Sequence, residues 1–192
     1  MANDDDILPS GYVLQGRYRI LHKTGGGGMA MVYKAVDTRL NDRPVAIKEM
    51  KQVDPKKQGL DIGKAVRLFK QEAAILSGLN HPYLPHVYGN FQQDGKYYLV
   101  MDFIEGETLL QKLYSGSASG RPVPLDVRSV VKYAIQLCEI LDYLHSQYSP
   151  IIFRDLKPSN IMVDSADHVY LVDFGIARHF KPHQSGDTIV IG

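Results

Sequence analysis

The sequence predicts an α+β fold, and three features of it carry that prediction. Strand-like patterns dominate the first hundred residues, broken by a run of glycines and by an Asp-Gly turn. Two longer stretches, 61–79 and 126–146, instead repeat apolar residues at helical spacing. After the second helix comes a polar loop, Phe153-Arg154-Asp155-Leu156-Lys157-Pro158-Ser159-Asn160, then a strand-like run ending in Asp173-Phe174-Gly175. With 192 residues, 44% of them hydrophobic, the chain can bury one substantial core or two small lobes sharing a cleft.

The first element is an acidic start followed by Pro9-Ser10-Gly11, so residues 1–16 are expected to form a flexible arm. Strand patterns follow at Tyr18-Arg19-Ile20-Leu21 and Met31-Val32-Tyr33-Lys34-Ala35-Val36, on either side of Thr24-Gly25-Gly26-Gly27-Gly28-Met29-Ala30. Glycines between strands suggest a hairpin whose backbone approaches something closely, and N–H groups clear of side chains can cover an anionic phosphate. Taken alone, four glycines are more often a flexible turn. Pro44-Val45-Ala46-Ile47-Lys48-Glu49-Met50 is an apolar strand with one lysine, which in isolation reads as a surface residue. The helix over 61–79 turns Val66, Phe69, Ala73 and Leu76 inward, with Glu72 beside that stripe.

His81-Pro82 ends the helix. Strands around 86–91 and 97–104 are joined by Gln93-Asp94-Gly95-Lys96, a good hairpin turn. Glu105-Gly106-Glu107-Thr108 starts a short helix, and a Gly/Ser loop runs over 115–120. Asp126 is the expected N-cap of the long helix, in which Val131, Ile135, Cys138, Leu141 and Leu144 mark a core strut.

Composition excludes several function classes. A formal net charge of +1 gives no reason to expect nucleic acid or an anionic membrane as partner. No apolar run approaches the roughly 18 residues of a membrane span, and the acidic start is the reverse of a signal peptide. Cys138 stands alone, so no disulfide forms within the chain; a buried structural thiol and a cytoplasmic location are the expectations. His81, His86, His179 and His183 lack Cys or carboxylate companions at metal-binding spacing and read as structural or surface residues.

The polar loop carries the chemistry. An aspartate, a lysine two residues on and an asparagine three further can take up a proton, steady a phosphate and ligate a cation. Phosphoryl transfer needs those services, because the enzyme mostly positions its reactants and neutralises charge. The order Arg154-Asp155-Leu156-Lys157-Pro158-x-Asn160 followed by Asp173-Phe174-Gly175 resembles the catalytic loop and metal-binding motif of protein kinases. Gly25-x-Gly27-x-x-Ala30-x-Val32 resembles their glycine loop, with Ala30 in place of the third glycine, and Val45-Ala46-Ile47-Lys48 resembles their lysine strand.

The resemblance spans nearly all of 16–192 and is strongest to bacterial Ser/Thr kinases. It implies a bilobal fold: an antiparallel N-lobe over 17–103 with one regulatory helix, and a partial helical C-lobe over 104–192. It implies a Mg²⁺-dependent Ser/Thr protein kinase moving the γ-phosphoryl group of ATP to protein hydroxyls. Asp155 would be the base, Lys157 would contact the γ-phosphate, and Lys48, paired with Glu72, would hold the α- and β-phosphates. Nucleotide contacts would come from Gly25, Gly26, Gly27, Gly28, Val32, Ala46, Lys48, Met101, Asp102, Phe103, Ile104 and Met162. Within that set Met101 is the gatekeeper and 102–104 the hinge. Asn160 and Asp173 would hold Mg²⁺.

Phe153 replaces the family's histidine and is expected to stack near Phe174. Arg154 would receive an activation-loop phosphate, with Thr188 the first candidate and Ser185 the second. The chain stops at Gly192, inside what the resemblance makes the activation segment. The expectation is therefore a truncated, weakly active or inactive form, with apolar surface exposed on the 126–146 helix. The alternative is a non-catalytic nucleotide-binding or scaffolding module, which a phosphotransfer assay separates from the first. A dinucleotide-binding oxidoreductase fails on order, because its glycines should open a helix and here strands flank them.

Overall fold

Six antiparallel strands built from the first hundred residues form one sheet: β1 (Val13–Leu14), β2 (Tyr18–Gly26), β3 (Ala30–Asp37), β4 (Arg43–Met50), β5 (Val87–Gln93) and β6 (Lys96–Asp102). Their order is β1-β2-β3-β4-β6-β5. The computed structural model describes residues 7–26, 30–50, 62–115, 117, 120–174 and 178–179.

β4 lies between β3 and β6 and is buried from Val45 to Met50; only Arg43 and Pro44 at its start are exposed. Proline is tolerated there because it opens the strand. Side chains alternate across the pleat. Val45 and Ile47 join Leu14, Tyr18, Ile20, Met31, Tyr33, Ala35, Tyr98 and Val100 in an outer core. Each such fully buried aliphatic side chain stabilises by about 1.5–3 kcal/mol. Glu49 is fully buried, and Lys96 Nζ approaches its Oε1 to 2.8 Å. The lysine ammonium compensates the charge of this buried carboxylate. Residues 7–16 were expected in a flexible arm, yet Ile7, Leu8 and Tyr12 pack on the outer core. Gly11 N–H donates to Ile20 O at 2.8 Å, and Ile20 N–H to Tyr12 O at 2.8 Å.

The turn between β5 and β6 has both central residues in the left-handed region, Asp94 at φ 51° and Gly95 at φ 75°. That twist matches the flanking strands, which is why Asp-Gly is read as a hairpin. Helix α1 (Ile62–Ser77) presents Phe69, Ala73 and Leu76 to the core with Val66 packed beside them, the stripe its spacing predicts.

Beyond the sheet, β7 (Glu107–Thr108) leads into α2 (Leu109–Tyr114), which is closed by a capping box between Thr108 and Gln111. Gly106, at φ +156°, passes so close to the backbone at Val163 that a Cβ would collide with the Val163 carbonyl. Helix α3 (Val127–His145) is capped by Asp126, whose Oδ1 accepts from Ser129 N–H at 3.0 Å.

The inward face of α3 is Tyr133, Ile140 and Leu144, with Leu137 and Leu141 packed alongside. Of the expected stripe, Leu141 and Leu144 do face the core, but Val131 and Ile135 are 51% and 55% exposed and Cys138 is exposed, which corrects the rest of the stripe and the buried thiol. This helix carries apolar residues on two faces, and a period alone does not say which face meets the sheet. The expected exposed apolar surface on this helix is that second face.

The chain then forms β8 (Ile151–Ile152), a 3₁₀ turn over Pro158–Asn160, β9 (Ile161–Val163), β10 (Val169–Leu171) and β11 (Arg178–His179). β9 lies between β10 and β7, and β11 pairs with β8. One inner core runs from Phe69, Leu76 and Leu99 through Ile140 and Leu144 to Phe153, Ile161, Leu171 and Phe174, so it welds the sheet to the later elements. Among the described residues, no helix is long and apolar enough to cross a membrane.

Candidate functional site

Sheet register fixes one wall of the site. Lys48 stands opposite Val32 on β3 and Leu99 on β6, while Ala46 stands opposite Lys34 and Met101. Directly opposed residues share a face. Val32, Ala46, Lys48 and Met101 therefore line one side of the sheet, the side away from the outer core. Gly25 pairs with Val32 and Gly26 with Met31, and Gly26 has φ +152° with no room for a Cβ, which would come within 2.8 Å of Ala30 O. Gly27 and Gly28 lie outside the described residues. So does the side chain of Glu72, although its backbone belongs to α1.

The second wall is the polar loop. Asp155 is half-buried, and its Oδ2 meets Lys157 Nζ at 2.8 Å and accepts from Asn160 Nδ2 at 2.9 Å. Asn160 Nδ2 also reaches Asp155 O at 3.0 Å, and the Asn160 side chain is buried. The three motif residues thus form one cluster, made possible by the 3₁₀ turn that folds Pro158–Asn160 back. The β9–β10 ladder pairs Ile161 with Leu171, and Val172 N–H extends it by donating to Asn160 O at 2.9 Å. That register carries Asn160 and Asp173 to the same end of one hairpin.

Asp173 closes the space between the walls. Its Oδ1 lies 2.8 Å from Lys48 Nζ, across 125 positions of sequence. Phe174 is fully buried and meets Phe153 edge-on at 5.0 Å between centroids. Phe153 does fill a packing position beside Phe174, but with rings at 82° rather than stacked; edge-to-face is a favoured aromatic geometry. Arg154 and Asp173 both adopt positive φ, 66° and 69°, which costs on the order of 1 kcal/mol or more each.

The far end of the hairpin is anchored to α3. Gln136 Nε2 donates to Asp167 O at 3.1 Å, Val169 N–H donates to Gln136 Oε1 at 2.9 Å, and Tyr133 O–H donates to Asp167 Oδ1 at 2.7 Å. The Tyr133 hydroxyl holds the Asp167 carboxyl below its ordinary range, while burial and that carboxylate push Tyr133 up to about 12. Burial would raise Asp164, but N–H groups of His168 and Ala166 and the His168 ring outweigh it and hold the carboxyl low.

Among the described residues, no three or more His, Cys, Asp or Glu side chains gather as a metal cage. The available donors are the amide oxygen of Asn160 and the carboxylate of Asp173, hard oxygens that suit Mg²⁺ when phosphate and water complete the shell. Met101, Asp102, Phe103, Ile104 and Met162 are half-buried. No motif marks Lys34, whose Nζ lies 4.3 Å over the Phe103 ring and 3.3 Å from Glu105 Oε1. Period two from Val32 was the available signal. His81 packs on Tyr83 and Tyr143, and His86 on Tyr88.

The family model described as "Protein kinase domain" matches residues 18–192. The chain belongs to the protein kinase family. It is 36% identical over 164 residues to serine/threonine-protein kinase PrkC of Bacillus subtilis, covering 85% of this chain and 23% of that protein. It is 35% identical over 172 residues to the probable serine/threonine-protein kinase PknB of Lactococcus lactis, covering 90% of this chain and 25% of that one. With the probable kinase YbdM of Bacillus subtilis the identity is 31%, over 94% of this chain and 65% of the relative. A solved structure titled "PpkA-294 apo form" superposes with a TM-score of 0.71 at 28% identity, covering 88% of this chain and 61% of that one. The kinase chain thus spans about a quarter of the length of PrkC and PknB. Its relatives are named as serine/threonine kinases, and its curled N-terminal sheet with few helices has the architecture of the family.

Proposed function

We propose that this chain is the nucleotide-binding and catalytic part of a Mg²⁺-dependent Ser/Thr protein kinase that transfers the γ-phosphoryl group of ATP to Ser or Thr hydroxyls. The observation that supports the reading is the Lys48–Asp173 contact, together with the β9–β10 register that brings Asn160, a member of the Lys157–Asp155–Asn160 cluster, to the same hairpin end as Asp173. Lys48 steadies the α- and β-phosphates, with Glu72 as its partner on α1. Asp155 accepts the proton of the acceptor hydroxyl as that oxygen bonds to γ-phosphorus. The bond from γ-phosphorus to the bridging oxygen breaks and ADP leaves. Lys157 neutralises the transferring group. Asn160 and Asp173 would hold Mg²⁺, which would screen the phosphate charge when bound. Val32, Ala46, Met101 and Met162 enclose the purine, and backbone groups of 102–104 orient it.

Thr188, then Ser185, are the proposed acceptors for autophosphorylation, with Arg154 receiving the phosphate; both acceptors lie outside the described residues. A single cysteine among 192 residues suits a reducing, cytoplasmic setting. The test is transfer of label from γ-labelled ATP to a Ser/Thr-rich protein acceptor, with and without Mg²⁺. Mg²⁺-dependent label on Ser or Thr is the expected result. Nucleotide binding with no transfer to any acceptor would instead favour the non-catalytic module.

A further inference from the structure

Asp102 ends β6, where the sheet passes into the strap Phe103-Ile104. Register sets it opposite Val45, on the outer side of the sheet, whereas its neighbour Met101 stands opposite Ala46 on the cleft side. Its carboxylate is gripped from behind by three separate segments. Arg43 Nη2, at the start of β4, donates to Oδ1 at 3.2 Å, and the Tyr88 hydroxyl on β5 donates to the same oxygen. The His86 backbone N–H donates to Oδ2 at 2.9 Å, and the Asp102 N–H returns a bond to His86 O at 2.9 Å. The Arg43 guanidinium lies 4.3 Å over the Tyr88 ring, and His86 meets that ring edge-on at 5.1 Å. Charge-assisted bonds from three directions hold a backbone more firmly than a single surface ion pair does.

We propose that Asp102 is a positioning residue for the nucleotide: the bracket of Arg43, Tyr88 and His86 locks the strap so that its backbone presents one orientation to the purine. This rests on reading the cleft as an ATP site. When the bracket is broken, the strap samples other orientations, and apparent affinity falls by the fraction of time the competent one is lost. Because the strap reads the base rather than the phosphates, the loss falls on ATP more than on GTP.

The experiment is calorimetric titration of Mg·ATP and Mg·GTP into the purified chain and into Tyr88→Phe, Arg43→Ala and Asp102→Ala. Arg19→Ala serves as a control, since it breaks an exposed ion pair to Asp42 elsewhere on the sheet. The expected result is ATP binding weakened about tenfold in each bracket variant, with the ATP-over-GTP preference shrinking and the control unchanged. Equal losses for ATP and GTP would reduce the bracket to a structural support and overturn the inference. Unaltered ATP affinity in Tyr88→Phe, which keeps the ring and the packing, would overturn it even if Asp102→Ala fails to fold. An unmodified chain that binds neither nucleotide would remove the cleft reading itself, and this inference with it.

Discussion

Asp155 and Asp102 are both clamped carboxylates, but Asp155 draws its partners, Lys157 and Asn160, from its own loop, whereas Asp102 draws Arg43, Tyr88 and His86 from 59, 14 and 16 positions away. The first clamp forms as soon as one turn closes. The second exists only once three segments of the sheet have found their register. Local clamps are written as spacing; distant ones are written as topology. The polar loop therefore declares its proposed chemistry in a few letters, and the strap conceals half of its own.

The sharpest way to test the local clamp is Asp155→Asn, which keeps the shape and removes the proposed base. Phosphate transfer is expected to fall by about 10²–10⁴-fold while ATP affinity measured by titration stays close to that of the parent. Undiminished transfer would remove Asp155 as the base.

Gly106 is a distant contact of another kind, a backbone approach to Val163. Gly106→Ala is expected to destabilise by about 2–4 kcal/mol in urea unfolding, since backbone meets the new methyl group and φ is unsuited to it. A loss under about 0.5 kcal/mol would show that β7 and β9 slide apart freely.

A milder test of long-range holding is Tyr133→Phe, which deletes the bond to Asp167 and nothing else. Asp167 is half exposed, so the expected loss is about 1 kcal/mol, together with a rise of the Asp167 carboxyl toward its ordinary value in an NMR titration. A carboxyl that stays low would assign the effect to Lys132 instead.

The smallest effects are those of pH. The Arg17 guanidinium holds Asp37 below its ordinary range, and Ser129 does the same for Asp126. With Asp164 and Asp167 also low, the unfolded chain binds more protons than the folded one near the unfolded carboxylate value of about 4. That stability is present above about pH 4 and lost as pH falls through the lower folded values. Burial lowers His81, so a gentler decline is expected to begin as pH drops through about 6.5. Urea midpoints measured from pH 7 to 3 are expected to fall in those two stages; midpoints that rise on acidification would contradict the assignment.

Much of the architecture was legible because it is locally encoded. Asp94-Gly95 fixes a hairpin, Asp126 caps α3, and the period of Val66, Phe69, Ala73 and Leu76 sets the inward face of α1. Of the candidate site, the sheet lysine, the Asp155 cluster and Asp173 were all visible as motifs, and the fold brings them together. What escaped depends on phase and distance. Helix α3 has two apolar faces, and only contact with β10 and β8 decides that Tyr133 and Ile140 turn inward while Val131, Ile135 and Cys138 do not. Ile7–Tyr12 looked like a loose arm because its few apolar residues are unremarkable until the outer core offers them a seat. The sequence points only to the backbone of Asp102, since nothing nearby in the chain names Arg43 or Tyr88 as its side-chain partners.

The most direct test of the central claim, that the sheet lysine and the loop carboxylates make one nucleotide site, is thermal unfolding with ATP in the presence and absence of Mg²⁺. A ligand that binds only the folded state stabilises by about 2.7 kcal/mol at a concentration one hundred times its Kd. The expected result is a Mg²⁺-dependent rise in Tm that is lost in both Lys48→Met and Asp173→Ala. A rise that survives in either variant would show that ATP binds without one wall of the cleft and would contradict the account.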